Sequence, residues 1–398
     1  MLRLKPPGKL RLRQAQQFDA CHGGAEANVA GSLAHFGLGA RMITALPATE
    51  LGEQAMMSLR AHGVDTSHIA RLAGRMGIYF LEDGADVRSG CVIYDRQDTA
   101  FCALTPDQVD WDGAFAGASW FHVSGITPAI SASSRDLCEA ALKEAKTRGL
   151  HISIDLNHRE RHWQYGQEAT EVMPRFTEYA DTLIAGRGDC RACLGFSPDG
   201  DGSTNEWYEM LSEDVLRRYP NLQQVAVTIR NSSSADCHKW AAHLRTSDGS
   251  YFSKTYHLHN VVDRVGTGDA FAAGLIYGLA TEMSADAALQ FGAAANALKH
   301  TIAGDVNLVT PDEVKALIPR YIENQSQLNE AEQENILKAE LWAKKQLKKN
   351  LLSEEFIKRL HKEMFLKVWR WAGKFRQTNK NIGVDWHKIS VELHKLLK

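Results

Sequence analysis

The stretch DRVGTGDAF, residues 263–271, places a glycine on either side of a threonine and an aspartate directly after them. Gly266 and Gly268 free the backbone to turn its amide groups toward one point. The apolar pattern that follows predicts a helix over 269–281, whose amino end adds its positive dipole at the same point. Such a loop suits a phosphate group, and Asp269 is placed to accept a proton from a hydroxyl beside it.

Two interpretations of this stretch stay open from its residues alone. Asp269 fits the general base of a phosphoryl transfer, in which the loop amides stabilise the charge on the transferring group. It fits equally well the N-cap of a helix that follows a glycine turn. The surrounding elements and the other motifs have to decide between them.

Short β-branched segments alternate with amphipathic helical segments between residues 20 and 310. The strand candidates are 41–46, 120–125, 151–156, 181–186 and 224–230, and the helix candidates are 24–36, 51–62, 132–148, 171–178 and 206–218. This alternation predicts an α/β fold with a mostly parallel sheet covered on both faces and a site beyond the carboxyl ends of its strands. Residues 1–18 and 76–104 instead resemble antiparallel strands, and we expect them to form a small sheet that serves as a lid.

The composition, with 44% hydrophobic and 24% charged residues, is that of a soluble globular protein. No apolar run is long enough for a membrane span, and the basic first residues lack the apolar core of a secretory signal. The seven cysteines are scattered and include the Cys190/Cys193 pair, which fits reduced thiols better than a metal site. We therefore expect a cytoplasmic protein with no membrane partner.

Residues 321–398 differ in charge from the rest of the chain. They hold 16 Lys and Arg against 10 Asp and Glu, a balance of +6, whereas the remainder holds 30 against 38, a balance of −8. This shift indicates a second unit. Its lysines fit a solvated helix face rather than a nucleic-acid site, because no basic loop or aromatic platform accompanies them.

The segment GGAEANVA, residues 23–30, puts two glycines and an asparagine at a predicted helix start, where backbone can approach a polyol closely. With DRVGTGD about 240 residues later, it resembles the two signatures of the PfkB (ribokinase-like) family of carbohydrate kinases. The resemblance covers about residues 1–310. It implies a ribokinase-like three-layer αβα kinase domain over 1–315 that uses ATP and Mg²⁺, with a monovalent cation as a further candidate cofactor.

Within that family, DLNHRERHW (155–163) and ALKHTIAGDVNLVT (297–310) are similar to segments of 2-keto-3-deoxygluconate kinases. That resemblance implies phosphorylation of this sugar acid at its C6 hydroxyl with Asp269 as the base. The implied anion hole is formed by Gly266, Thr267 and Gly268, and the implied sugar-acid contacts are Gly23, Gly24, Asn28, Tyr79, Tyr94, Arg96 and Arg159. Arginine binds carboxylates well, so these arginines favour an acid over a neutral sugar such as fructose, although each alone also fits a surface ion pair.

The resemblance also suggests contacts for the nucleotide and the metal ion. The residues that it places near the nucleotide are Arg230, Asp263, Asn296 and Lys299. The family organises the water shell of Mg²⁺ through an Asn-x-x-Glu-like segment, but residues 185–193 read AGRGDCRAC, with Arg187 where the asparagine is expected. Asp189 is the candidate that holds Mg²⁺ through water in its place.

The sequence also differs from the family at the first strand of the fold. Members of the family begin with an apolar strand that ends in Gly-Glu before a segment like MLRL, and here Met1 opens that segment. We expect most of this interior strand to be absent, which would leave the hydrogen-bonding edges of its neighbours exposed and lower the stability.

The segments LNEAEQENILKAELWA and VWRWAGKFRQTNKNIGVDW resemble the amino-terminal half of Fic-domain proteins, over residues 319–398. Fic proteins transfer AMP with a later motif of the form HPFxxGNGR, which the sequence does not contain. We therefore interpret the tail as a truncated, all-α Fic-like fragment with an unknown partner, and not as an AMP transferase.

Two hypotheses from different classes follow. The first is a kinase whose partners are a sugar acid and ATP, and which forms a homodimer through its β lid. The second is an inactive or decayed fusion of a kinase with a Fic-like fragment that acts, if at all, as a binding module.

Overall fold

The computed structural model describes residues 1–232 and 234–319, of which Met1–Ala316 form one compact unit. The strands are β1 (Leu2–Lys5), β2 (Asp19–His22), β3 (Thr44–Pro47), β4 (Ile69–Leu72), β5 (Ile78–Glu82), β6 (Cys91–Asp95), β7 (Trp120–Ser124), β8 (His151–Asp155), β9 (Thr182–Gly186), β10 (Gln224–Ser232), β11 (His238–Thr246), β12 (Ser250–Phe252) and β13 (Tyr256–Leu258). The α-helices are α1 (Ala25–His35), α2 (Glu50–Ala61), α3 (Trp111–Phe115), α4 (Ala132–Thr147), α5 (Ala169–Thr177), α6 (Arg187–Asp189), α7 (Asn205–Arg218), α8 (Thr267–Ala280) and α9 (Ala285–Lys299), and residues 311–319 are also helical.

No helix within residues 1–232 and 234–319 is long and apolar enough to cross a membrane. The Fic-like fragment predicted from the sequence lies, from residue 320 onward, outside the described residues.

The largest sheet has the strand order β12-β11-β10-β9-β8-β7, with β13 also paired to β11. Strands β7 to β10 run parallel, and β11 returns antiparallel to β10. Ile152, Ile154 and Val225 are almost completely buried, because helices cover both faces of a parallel sheet. The mostly parallel sheet predicted from the alternating pattern is confirmed.

The helices pack in two groups. Helices α4, α5 and α7 connect successive parallel strands and share one apolar core with them, to which Leu142, Val172 and Leu211 contribute. Helix α8 packs against α1 and α9. It is apolar almost all round because it is buried on most sides, as a helix inside a domain must be.

The lid is a separate four-stranded sheet with the order β2-β1-β5-β6. It corrects the sequence prediction in two ways. Strand β1 pairs parallel to β5, so the lid is not purely antiparallel, and the lid includes β2, which lies beyond the predicted range 1–18. Side chains alternate across its pleat, so that Cys21, Arg3, Tyr79 and Tyr94 lie in one row on the same face.

The parallel layer is interrupted between β7 and β3. Strands β3 and β4 form their own two-stranded parallel sheet, and β7 is the last strand of the large sheet. Among the described residues, no strand pairs with the remaining edge of either β3 or β7. A cavity of about 730 Å³ lies between these two edges.

Candidate active site

The loop before α8 has the geometry of an anion hole. Gly266 is the N-cap of α8 with a φ of 76°, the left-handed region that favours glycine. The first amides of a helix have no partner within the helix, so those of Thr267, Gly268 and Asp269 are available to a ligand. A Cβ on Gly268 would meet nothing within 4 Å, which shows that this amide borders open space.

The structure excludes one of the two interpretations of Asp269, because the N-cap of α8 is Gly266 and not the aspartate. Asp269 lies in the first turn of α8, and its Oδ2 accepts a hydrogen bond of 2.7 Å from Nδ2 of Asn28. The N-cap interpretation is therefore wrong. The carboxylate is held by a residue from the other signature segment, as a catalytic base has to be held.

Helix α1 carries that asparagine and is fixed at its amino end. Oε1 of Glu26 accepts hydrogen bonds from the backbone amide and hydroxyl of Ser124, at 2.9 and 2.8 Å, and from the hydroxyl of Thr127 at 2.6 Å. Asn28 is buried, and its Oδ1 has no hydrogen-bond partner among the described residues. An unpaired buried acceptor beside the base is suited to receive a hydrogen bond from a substrate hydroxyl.

Burial raises the pKa of Asp269 to about 7. The hydrogen bond from Asn28 and the positive charge of Arg159 act in the opposite direction, while the charges of Asp305 and Glu26 raise the pKa further. A general base works best when its pKa lies near the operating pH. Asp269 thus has the protonation behaviour that proton abstraction from an alcohol requires.

We expect the rate of the reaction to fall with decreasing pH through about 7, because the base must be deprotonated. Asn28→Leu removes a hydrogen bond that lowers the pKa of Asp269, so the acid limb of the kcat/KM profile should move to higher pH by about one unit. The profile is measured between pH 5 and 9 by ADP release. Ser32→Ala, one turn further along α1, is the control and should leave the limb in place.

Two more carboxylates lie near the base. Burial raises the pKa of Asp155 well above its usual value, and the negative charges of Asp189 and Asp269 add to this shift. The two oxygens of Asp189 accept hydrogen bonds from the backbone amides of His158, at 3.2 Å, and Gly186, at 2.8 Å. Each oxygen keeps a second lone pair, so Asp189 remains able to bind a water molecule.

This donor set fits Mg²⁺ bound through water and phosphate. Among the described residues, no group of three or more His, Cys, Asp or Glu side chains could hold a metal ion directly. Mg²⁺ usually keeps several waters and takes few protein ligands together with phosphate oxygens. A cation near Asp155, Asp189 and Asp269 would also relieve the mutual repulsion that raises the pKa of Asp155.

A buried ionic network joins the lid to the anion-hole loop. Nη2 of Arg3 donates a hydrogen bond of 2.7 Å to Asp263, and its Nη1 lies 2.9 Å from Oδ1 of Asp305. The hydroxyl of Tyr79 donates to the other oxygen of Asp305 at 2.5 Å. Asp305 also abuts both glycine loops, since a Cβ on Gly266 would lie 1.9 Å from its carbonyl oxygen and one on Gly23 would lie 1.7 Å from its carboxylate.

The predicted nucleotide contacts are only partly accessible. The side chain of Asp263 has no exposed surface, and it also accepts from the amides of Val265 and Gly304. Lys299 is fully buried and donates to the carbonyl of Ile302, and Asn296 donates to the carbonyl of Thr267. These three side chains therefore position the loop and α8 and offer no surface to a nucleotide. Arg230 is exposed at the end of β10 and donates to Ser232, so it stays a prediction.

Arg3→Met should destabilise the protein by about 3–5 kcal/mol, because it leaves Asp263 and Asp305 buried without their cation. Lys5→Met is the matched control on the same strand and face. It breaks a single pair, with Asp83, near the surface, and should cost at most about 1 kcal/mol. Urea unfolding measures both, and equal losses for the two variants would contradict this assignment.

Two of the predicted sugar-acid residues, Tyr94 and Arg96, border a second cavity, of about 410 Å³, between the lid and the segment after β8. Its lining includes Tyr94, Arg96, Arg161, His162 and Gln164. The rings of Tyr94 and His162 are 4.3 Å apart, and Tyr79 lies behind Tyr94 with ring centroids 6.0 Å apart. The hydroxyl of Tyr79 is already bound to Asp305, so this tyrosine supports the site from behind.

The cavity is lined by two arginines, Arg96 and Arg161, and by one carboxylate, Asp95, which pairs with Arg75. Burial lowers the pKa of Arg96, and its guanidinium group donates no hydrogen bond and forms no ion pair among the described residues. Burial lowers the pKa of His162 to about 4, and the charges of Arg96 and Arg159 contribute. His162 is therefore neutral at pH 7, and its buried Nε2 has no partner among the described residues. The guanidinium of Arg96 and Nε2 of His162 are thus groups that can form hydrogen bonds with a ligand.

The charge of one arginine acts both on Asp269 and on a residue that lines this cavity. Arg159 is exposed, and its Nη1 donates only to the carbonyl of His158 at 2.8 Å. Its charge lowers the pKa of both Asp269 and His162, so it acts electrostatically on both groups. Sequence reasoning identified Arg159 but missed Arg161 and His162, although both stand in the quoted segment DLNHRERHW.

A family model described as pfkB family carbohydrate kinase matches residues 4–311. The 2-dehydro-3-deoxygalactonokinase of Haloferax volcanii is 33% identical over 318 residues, covering 80% of this chain and 94% of that protein. The 2-dehydro-3-deoxygluconokinase of Bacillus subtilis is 27% identical over 298 residues, covering 74% and 86%. The crystal structure of 2-dehydro-3-deoxygluconokinase from Thermotoga maritima matches with a TM-score of 0.77 and 42% identity, covering 80% and 97%.

Proposed function

Because the chain belongs to the pfkB family of carbohydrate kinases, we propose that it transfers the γ-phosphoryl group of ATP to the C6 hydroxyl of 2-keto-3-deoxygluconate. This sugar acid is also called 2-dehydro-3-deoxygluconate, the substrate named for two of the similar proteins. The product is 2-keto-3-deoxy-6-phosphogluconate.

The observation that carries the choice of an acid is the unpaired guanidinium of Arg96. Arg96 is half-buried, and the negative charge of Glu26 acts on it without a direct ion pair, so a bound carboxylate would give its guanidinium a hydrogen-bonded counter-ion. Arg161 and Arg159 add positive charge to the same side of the site. A neutral sugar such as fructose would offer these arginines no carboxylate, and Arg159 and Arg161 would keep only their hydrogen bonds to backbone carbonyls.

The residues around the base support in-line phosphoryl transfer. The C6 hydroxyl gives its proton to Asp269 while its oxygen forms the new bond to the γ-phosphorus. The bond between that phosphorus and the oxygen bridging to the β-phosphate breaks, and ADP leaves. The amides of Thr267 and Gly268 stabilise the charge on the transferring group, and Asn28 keeps the carboxylate in place.

We further propose that Mg²⁺ accompanies ATP and that Asp155 and Asp189 hold its water shell. When bound, Mg²⁺ supplies charge neutralisation at the phosphates. Asp189 then takes over the role for which the family uses an Asn-x-x-Glu-like segment. A monovalent cation remains a candidate cofactor with no residue assigned to it.

We propose that the chain forms a homodimer through the outer face of the lid. It presents Phe80 in contact with Phe18, and both Phe18 and Ile93 are exposed, at 39% and 50%. Apolar side chains grouped on an exposed sheet face are typical of an interface. Sedimentation equilibrium tests the proposal, and a monomer at all concentrations would refute it.

The activity is tested by coupled ADP release with a panel of acceptors. The panel contains 2-keto-3-deoxygluconate, its galactonate epimer, gluconate, fructose and ribose, since the Haloferax relative is named for the epimer. We expect turnover of the keto-deoxy acids and little of the neutral sugars. Preference for fructose would remove the substrate assignment, and ATP binding without turnover of any acceptor would favour the inactive fusion.

A further inference from the structure

The turn between β5 and β6 joins the lid to the large sheet through Asp236, which lies between β10 and β11. Oδ1 of Asp236 accepts a hydrogen bond of 2.8 Å from Nζ of Lys9, and Oδ2 accepts one of 3.1 Å from the backbone amide of Asp86 in the turn. In the reverse direction, the amide of Ala235 donates to the carbonyl oxygen of Asp86 at 2.9 Å. We call this contact, formed by Lys9, Asp86, Ala235 and Asp236, the lid tie.

Asp86 has a backbone conformation that residues with a side chain rarely adopt. Its φ is 48°, in the left-handed region that favours glycine. Such a conformation persists where the surroundings hold it, and it is frequent in segments that are clamped for a function. The next residue, Val87, is 93% exposed, so burial does not hold this turn. Hydrogen bonds hold it instead, within the turn between Ala85 and Arg88 and to the large sheet through Asp86.

Strand β6 follows this turn and leads to the second cavity. Tyr94 lies on β6 and Arg96 directly after it, and both line that cavity. Strand β6 is the last strand of the lid sheet and pairs with β5. Arg161 contacts its middle by donating to the carbonyl of Val92 at 3.4 Å, and Asp236 fixes the turn before its start. Both contacts therefore contribute to the position of β6 beside the large sheet.

At its other end, the lid tie lies close to the segment that leads into the glycine loop. The carbonyl oxygen of Asp236 accepts a hydrogen bond of 3.5 Å from the amide of Val261, which stands two residues before Asp263. The hydrogen bonds from Lys9 and from the amide of Asp86 lower the pKa of Asp236, so its carboxylate is charged at neutral pH. The lid tie is thus a charged contact between the lid turn and the approach to the catalytic loop.

We propose that Asp236 is a positioning residue for the sugar acid, because it holds the β5–β6 turn, and with it β6, where Arg96 can bind a carboxylate. The inference rests on the proposed function, which assigns that carboxylate to Arg96. Without the lid tie, the fraction of molecules with Arg96 in place falls, and the apparent affinity for the sugar acid falls by the same factor. Asp269 and the glycine loop lie outside the lid, so the chemical step keeps its rate.

Asp236→Ala removes both hydrogen bonds to this carboxylate. We expect the KM for 2-keto-3-deoxygluconate to rise about tenfold while kcat stays within about twofold. Asp236→Asn keeps an oxygen that can accept from the amide of Asp86, and it should restore most of the affinity. Coupled ADP release measures KM and kcat, and calorimetric titration measures the Kd of the sugar acid.

Two further variants test whether the effect passes through the lid tie. Lys9→Met combined with Asp236→Ala should raise KM no further than Asp236→Ala alone, and additive effects would overturn the proposal. Asp248→Ala is the matched control on the next hairpin, where the carboxylate accepts a hydrogen bond from neighbouring Ser247, and it should leave KM unchanged.

Hydrogen exchange of the full chain without ligand tests the lid tie independently of activity. The amides of Asp86 and Ala235 should exchange about tenfold faster in Asp236→Ala, whereas those of Ile152 and Ile154 in β8 should keep their rates. Unchanged exchange at Asp86 would show that the carboxylate does not hold the turn, and the proposal would fall.

The outcomes also separate this inference from the proposed function. If the parent protein phosphorylates the sugar acid and Asp236→Ala keeps the parent KM, or loses kcat instead, the inference is wrong and the proposed function stands. If the parent protein neither binds nor phosphorylates a keto-deoxy acid, both are wrong.

Discussion

Asp269→Asn is expected to lower kcat by about 10²–10⁴ while leaving the KM for the sugar acid within a few-fold. The amide keeps the shape of the side chain and can still accept the hydrogen bond from Asn28, so the sugar site and α1 stay in place. What the variant loses is the ability to take a proton from the C6 hydroxyl. Coupled ADP release with 2-keto-3-deoxygluconate measures both constants.

The same variant should be more stable than the parent protein at pH 8. The pKa of Asp269 is about 7 in the folded state, above its unfolded value of 3.8. The stability associated with its carboxyl group is therefore fully present below about 4 and is lost as the pH rises through about 7. Asparagine carries no charge at any pH, so its Tm should exceed that of the parent at pH 8 and match it at pH 4.

Asp248→Asn is the control for both measurements, because Asp248 is exposed in the bend between β11 and β12 and its carboxylate accepts a hydrogen bond from neighbouring Ser247. It should change neither kcat nor the Tm difference between the two pH values. Equal turnover by Asp269→Asn and the parent protein would end the assignment of the base, whatever the thermal data show.

The catalytic loop could be located from the sequence because its signals are local. Two glycines, an acid and an apolar helix lie within a short stretch, and the parallel strands carry contiguous β-branched residues. The predicted start of α8, residue 269, lies two residues after the observed start at Thr267. The difference arises because the glycine N-cap has no side chain that would mark the helix start. Local sequence patterns were therefore sufficient to predict the parallel sheet and the glycine loop before α8.

The ionic network could not be predicted in the same way. Arg3 and Asp263 are 260 positions apart, and nothing near either residue indicates the other. The sequence suggested a nucleotide contact for Asp263, whereas its partners come from β1 and from the loop at Gly304. Such long-range pairs depend on how the lid sits on the parallel layer, which the hydrophobic pattern does not encode.

The parallel pairing of β1 with β5 could not be predicted from the sequence either, for a related reason. Alternating residues show that a strand has two faces, but they do not show the direction of its neighbour. In the structure this pairing places Arg3 beside Tyr79, and both reach Asp305. The parallel direction of β1 and β5 thus allows both lid strands to contact Asp305, which abuts the loop before α8.

Arg96→Met is expected to lower kcat/KM for 2-keto-3-deoxygluconate by about 30- to 100-fold, mostly through KM. Loss of a charge-assisted hydrogen bond costs about 2–3 kcal/mol, and each 1.4 kcal/mol is a factor of ten. The weak turnover of ribose or fructose should stay unchanged, since a neutral sugar has no carboxylate for Arg96 to bind. The acid-to-neutral preference therefore falls by the same factor.

A stability measurement separates this role from a structural one. The guanidinium of Arg96 is half-buried, borders a cavity and donates to no acceptor among the described residues, so methionine should not lower the Tm of the free protein. A structural arginine would show the opposite effect, as Arg3 does in its buried network. Arg217→Met, on an exposed side chain of α7, is the matched control and should leave the KM for the sugar acid unaltered. If Arg96→Met lowers the Tm and affects acid and neutral sugars alike, Arg96 holds the lid together and the sugar acid binds elsewhere.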